Sequence, residues 1–176
     1  MQKKGMEDMK KLLCVLLTAV MVLALIACGG DKTAQEGEDP QQDPSAQVVD
    51  LKKTAEDAVA ALGDAYPMFP VESAEELEGL YPGLAAVETR QVVAYQPPVS
   101  GFGCELAMVE VANAADAETV RAIFRDRVDG FVNDTAYPEN APAWKNNSSV
   151  TVNGNYVVLG VLPEGVDLPP AFRGEF

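Results

Sequence analysis

Histidine is absent from the 176 residues, and its absence removes several chemistries at once. A Ser-His-Asp or Cys-His nucleophile and any His-ligated zinc need an imidazole to carry a proton or hold a metal. Ser73, Ser100, Ser148 and Ser149 have no Gly-x-Ser-x-Gly elbow and no Ser-x-x-Lys pattern to activate them. Asp126, Asp129 and Asp134 invite a calcium reading, but their spacing misses the EF-hand loop. Asp126 and Asp129 fall opposite the apolar stripe of their helix and read as solvated charge. No metal and no cofactor is therefore expected. Paired carboxylates of the kind that hydrolyse glycosides stay open, because any two of the 27 acidic residues could converge.

Arg127 is the charged residue with most to explain. At helical spacing it lies within the stripe formed by Val120, Ile123, Phe124, Val128 and Phe131. A guanidinium facing a sheet keeps its charge, so it either snorkels out along its stem or meets a carboxylate. The preceding strand offers Glu105 and Glu110, which point to opposite faces because their separation is odd. Glu105, at the strand's start, is the expected partner for the helix's later turns in an antiparallel crossing. Should Arg127 instead line an open pocket, it becomes the first candidate to hold an anionic ligand. Trp144, the sole tryptophan, together with Tyr137 and Tyr156, is a candidate ligand or partner contact, or else a lid folded over the core.

The residue with the most specific surroundings is Cys28. Lys10 and Lys11 precede an apolar run from Leu12 to Ala27, short for a span of about 20 residues but suited to a secretory signal. The run ends Leu25-Ile26-Ala27-Cys28-Gly29-Gly30, a tetrad that resembles a lipobox. That resemblance implies cleavage before Cys28 and a diacylglycerol on its sulfur, the thiolate being the nucleophile that acylation needs. Residues 1–27 carry Lys3, Lys4, Lys10 and Lys11 against Glu7 and Asp8, so losing them takes the net charge from −14 to −16. Such a domain is repelled by anionic head groups and by nucleic acid alike. Residues 28–50 carry six acids against Lys32 and no apolar period, and read as a solvated tether. Cys104 is then the one thiol left in the domain and reads as a small buried hydrophobe.

The elements that position these residues fill 51–176, read as one domain. Leu51, Ala55, Ala58, Val59 and Leu62 predict a helix stopped at Gly63, and Ser73 with Glu76 caps a second one. Val87–Gln96 and Cys104–Val111 predict strands, and Asp116 is expected to cap a helix over 117–132. Residues 133–148 read as loop. Asn153-Gly154 predicts a hairpin between 149–152 and 155–162, and the proline-rich remainder reads as peripheral. The order predicts an α+β domain: an antiparallel sheet of about four strands in two hairpins, with helices packed on one face.

The run Glu105-Leu106-Ala107-Met108-Val109-Glu110-Val111, the Asp116-led helix, Tyr137-Pro138 and Gly154-Asn155-Tyr156-Val157 follow in that order. Together they resemble the bacterial lipoprotein family called domain of unknown function 4358, over roughly residues 50–162. The resemblance implies this fold and an envelope location, and it brings no catalytic residues with it. Two functional classes follow. One is a monomeric lipoprotein held at the extracytoplasmic face of the cell membrane through Cys28, binding an unidentified protein or small ligand. The other is an envelope hydrolase working with carboxylates alone. A two-lobed solute receptor needs more chain than this domain has.

Overall fold

In the computed structural model the described residues are 48–99 and 102–176. The expected signal segment 1–27, Cys28, most of the tether and the Ser100-Gly101 pair lie outside them. Asp50 opens helix α1 (Leu51–Leu62) by accepting the Lys53 N–H at 3.0 Å, and Gly63, at φ 62°, closes it. Strand β1 is two residues, Phe69–Pro70. Helix α2 (Ala74–Leu80) starts on Ser73, whose hydroxyl accepts the Glu76 N–H. Strands β2 (Thr89–Gln96) and β3 (Glu105–Val111) follow, then helix α3 (Ala117–Val132). Helix α4 (Ala141–Asn146) and the hairpin β4 (Ser148–Asn153) and β5 (Tyr156–Val161) complete the framework.

The sheet is antiparallel, in the order β1-β2-β3-β5-β4. It has five strands rather than four, because the short β1 joins at the edge; Pro70 suits that place, where a missing N–H costs no ladder bond. Strand β3 is central, and all seven of its residues are buried. Its alternation divides the core in two. Ala107, Val109 and Val111 join Val157, Leu159 and Val161 beneath Val120, Phe124 and Trp144. Leu106 and Met108 join Val158 beneath Leu51, Ala55 and Phe172. The helices therefore cover both faces, not one: α3 and α4 cover the first, while α1 and the 3₁₀ turn Pro170–Arg173 cover the second.

Four local expectations change for physical reasons. Residues 133–148 are not all loop, since Pro142, whose missing N–H is harmless in a first turn, helps to start α4. Asp116 makes no side-chain cap; Asn113 accepts the Ala115 N–H at 3.1 Å and starts a 3₁₀ turn that leads into α3. The hairpin turn is centred on Gly154-Asn155, with Asn153 paired to Tyr156 and Gly154 at φ 58°. Residues 163–176 are not peripheral either. Phe172 is fully buried, and its backbone lies so close to Gly160 that a Cβ there would fall 2.3 Å from the Phe172 carbonyl oxygen. Among the described residues no helix is long and apolar enough to cross a membrane.

Candidate functional site

Strand β3 begins with Glu105, 1 % exposed and turned toward α3. A carboxylate placed there without partners would be costly, and the fold surrounds it with donors. Arg127 gives its Nη2 at 2.9 Å and its Nε at 3.3 Å, and the Tyr81 hydroxyl donates to Oε1 at 2.7 Å. Arg127 Nη2 also reaches Gln96 Oε1 at 3.5 Å. The guanidinium carbon stands 4.6 Å from the Phe131 ring centroid and 5.9 Å from that of Tyr81, so aromatic faces supplement the ion pair. Burial, and then the Glu105 charge, push the Tyr81 phenol well above its ordinary range. The same two causes raise the neighbouring Cys104 thiol to about 11, which leaves it protonated and inert at neutral pH.

This cluster is built from four separate elements. Tyr81 directly follows α2, Gln96 ends β2, Glu105 begins β3 and Arg127 belongs to α3. The turn that holds Tyr81 is clamped by Glu78, whose carboxylate accepts the Gly83 N–H at 2.7 Å and the Ala85 N–H at 3.0 Å. Those bonds hold its pKa below the ordinary value. Tyr81 and Gln96 were not apparent as site residues in the sequence. The signal for Tyr81 was a tyrosine followed by Pro82-Gly83, a place where its ring could turn inward.

Beside the cluster, α2 and α3 leave a cavity of about 390 Å³ lined by Gly79, Leu80 and Pro82 on one side. On the other side stand Ile123, Asp126, Arg127, Gly130, Phe131 and Asp134. The α3 residues recur at three and four positions and form one face of that helix. Leu80, Ile123 and Phe131 make it apolar. Arg127 does line a pocket, but Glu105 neutralises it, so in place of the spare positive charge expected from sequence it offers only the N–H donors of Nη1.

The aromatic candidates separate. Trp144 is 2 % exposed, not a surface contact, because α4 turns its ring inward to stack on Phe131 at 4.3 Å and 6°. The indole thus backs the wall of the cavity. Tyr156 is half-buried and occupied: its hydroxyl accepts the Val49 N–H, and its ring meets Phe176 edge-on at 5.6 Å. Val49 is thereby part of the domain rather than of the tether. Tyr137 alone remains exposed.

The second buried carboxylate, Glu110, faces the other way. It accepts from Gln91 Nε2 at 2.7 Å and from Arg90 Nη1 at 3.4 Å, and Gln91 also donates to the Val49 carbonyl. Glu105 and Glu110 lie on opposite faces of one strand, so they cannot flank one scissile bond. Among the described residues no three of His, Cys, Asp and Glu gather as metal ligands. The site is an apolar concavity with the Arg127 guanidinium and two carboxylates, Asp126 and Asp134, in its lining. No curated protein and no solved structure matches the chain. A family model described as Domain of unknown function (DUF4358) matches residues 61–162. That stretch holds α2, α3, α4 and all five strands of the sheet, together with every residue lining the cavity, and the chain belongs to the DUF4358 family.

Proposed function

We propose that the protein is a lipid-anchored module at the extracytoplasmic face of the cell membrane, monomeric and non-catalytic, whose cavity between α2 and α3 binds a ligand or partner. The lipid anchor rests on the Leu25-Ile26-Ala27-Cys28 tetrad after its apolar run. The binding role rests on the cavity, and above all on its place in the fold. Glu105, beside the cavity, and Glu110, beside Val49, are five residues apart on β3, roughly 17 Å at 3.4 Å per residue. The first described residues thus pack near one end of β3, and the cavity lies near the other.

Two measurements test the proposal. Labelled palmitate should be incorporated into the full chain and not into Cys28→Ser, which should leave the membrane fraction or stay unprocessed. A Cys28→Ser chain still cleaved after Ala27 and still membrane-bound would refute the anchor. For the binding role, membrane-anchored protein should retain a ligand detectable by mass spectrometry, and a variant with the cavity filled should not.

A further inference from the structure

The cavity's unpaired charge identifies what it would hold. Glu105 cancels Arg127, so the formal charges left on the lining are those of Asp126 and Asp134. Asp126 has no hydrogen bond or ion pair among the described residues; Asp134 spends Oδ1 on the Ala136 N–H at 2.7 Å and keeps Oδ2. Arg127 commits Nε and Nη2, while its Nη1 makes no hydrogen bond among the described residues. A guanidinium nitrogen with two N–H groups and no partner wants an acceptor. Between these polar points the wall is Leu80, Ile123 and Phe131.

The glycines sharpen the picture. Gly130 lies inside α3, where glycine costs about 1 kcal/mol relative to alanine. A Cβ at Gly130 or at Gly79 would meet nothing within 4 Å, so no neighbour forbids a side chain at either place. What a side chain would do is occupy the cavity.

Resting on the binding role proposed above, the geometry points to a lysine-type unit as the ligand: an aliphatic stem with an ammonium at one end and a carboxylate or carbonyl oxygen at the other. The oxygen meets Arg127 Nη1, the stem lies over Ile123, Leu80 and Phe131, and the terminal ammonium meets Asp134. Asp134 lies just beyond the end of α3 and lines the same cavity as Arg127, so an acceptor for the ammonium and a donor for the oxygen stand at separate points of one wall. A free basic amino acid also brings an α-ammonium, which Asp126 takes. A lysine within a peptide brings only its carbonyl and side chain.

Trp144 is the sole tryptophan and stacks directly on the cavity-lining Phe131, so its fluorescence reports occupancy. The full chain in detergent would be titrated with L-lysine, a blocked Gly-Lys-Gly peptide, norleucine and acetate. Saturable changes with lysine, with the peptide, or with both are expected, and which one responds names the source. Norleucine, which lacks only the terminal ammonium, should bind at least about tenfold more weakly, the value of one charge-assisted hydrogen bond. Asp134→Asn should weaken both lysine probes, and Asp126→Asn the free amino acid more than the peptide. Gly130→Leu should abolish binding while its melting temperature holds or rises. Norleucine or acetate binding as well as lysine would overturn the lysine assignment and leave the binding role standing. Undiminished lysine binding by Gly130→Leu would place the site elsewhere and also overturn it. Silence from every probe would overturn the lysine assignment, while the binding role stands or falls on the retained ligand.

Discussion

Glu105 and Glu110 stand on one strand, each buried and each facing an arginine, yet their surroundings differ in kind. Arg127 has 16 % of its side chain exposed and grips Glu105 through two nitrogens, with a tyrosine hydroxyl as a third donor. Arg90 has 41 % exposed and reaches Glu110 through one nitrogen at 3.4 Å, with Gln91 supplying the short bond. Removing a partner from a buried pair leaves a charge that water cannot reach, whereas a half-exposed arginine can turn outward. One end of β3 is thus a fixed anchor beneath a cavity. The other is a seam where the entering chain is fastened by Gln91 and Tyr156.

The largest expected effect comes from breaking the anchor. Glu105→Ala should cost about 3 kcal/mol or more by stranding Arg127, while Glu105→Ala with Arg127→Met should cost less than the two changes added. Urea unfolding of the four proteins measures this, and strict additivity would mean that the pair is uncoupled. Glu110→Gln should cost about 1 kcal/mol, the size of a hydrogen bond lost near solvent; a loss equal to that of Glu105→Ala would abolish the distinction between the two ends.

A third effect is a matter of pH. The Cys104 thiol, raised from 9.0 to about 11, favours the neutral form in the folded state, so its contribution to stability is complete below about 9. That contribution fades as pH rises toward about 11. The native protein should resist alkylation at pH 8, and Cys104→Ala should flatten the alkaline loss of stability. The smallest effect belongs to Glu78. Its depressed pKa makes a contribution present above the ordinary carboxylate value and lost as pH falls through the lower folded one. Glu78→Gln should therefore narrow the stability difference between pH 6 and pH 3, with little change elsewhere.

Two periods made the anchor legible in the sequence. A repeat of 3.6 places Arg127 among apolar residues, and a repeat of 2 puts Glu105 and Glu110 on opposite faces. The helix cap at Ser73 was legible because its chemistry is local. What stayed hidden depends on tertiary contact. Two residues of β1 carry no period; they are strand because β2 lies alongside. The six residues of α4 look like loop until Trp144 finds Phe131. Helix α1 could be recognised as a helix, but nothing local says which face of the sheet it covers. Tyr81 and the cavity depend on the spacing of α2 from α3, which no short stretch encodes.

The contact between Phe172 and Gly160 has a further consequence for how the molecule opens. Phe172 belongs to the segment that directly follows β5, so its part of the sheet face it covers closes locally, as α3 and α4 do on the other face. Leu51 and helix α1, by contrast, are separated from β2 by α2 and its flanking turns. Closing a face with distant segments costs more loop entropy, and such closures come late in folding. Helix α1 should then be the element that detaches first, while α3 and the Phe172 contact stay docked. In native-state hydrogen exchange the amides of α1 would open at a lower free energy than those of α3, with the cavity wall intact throughout.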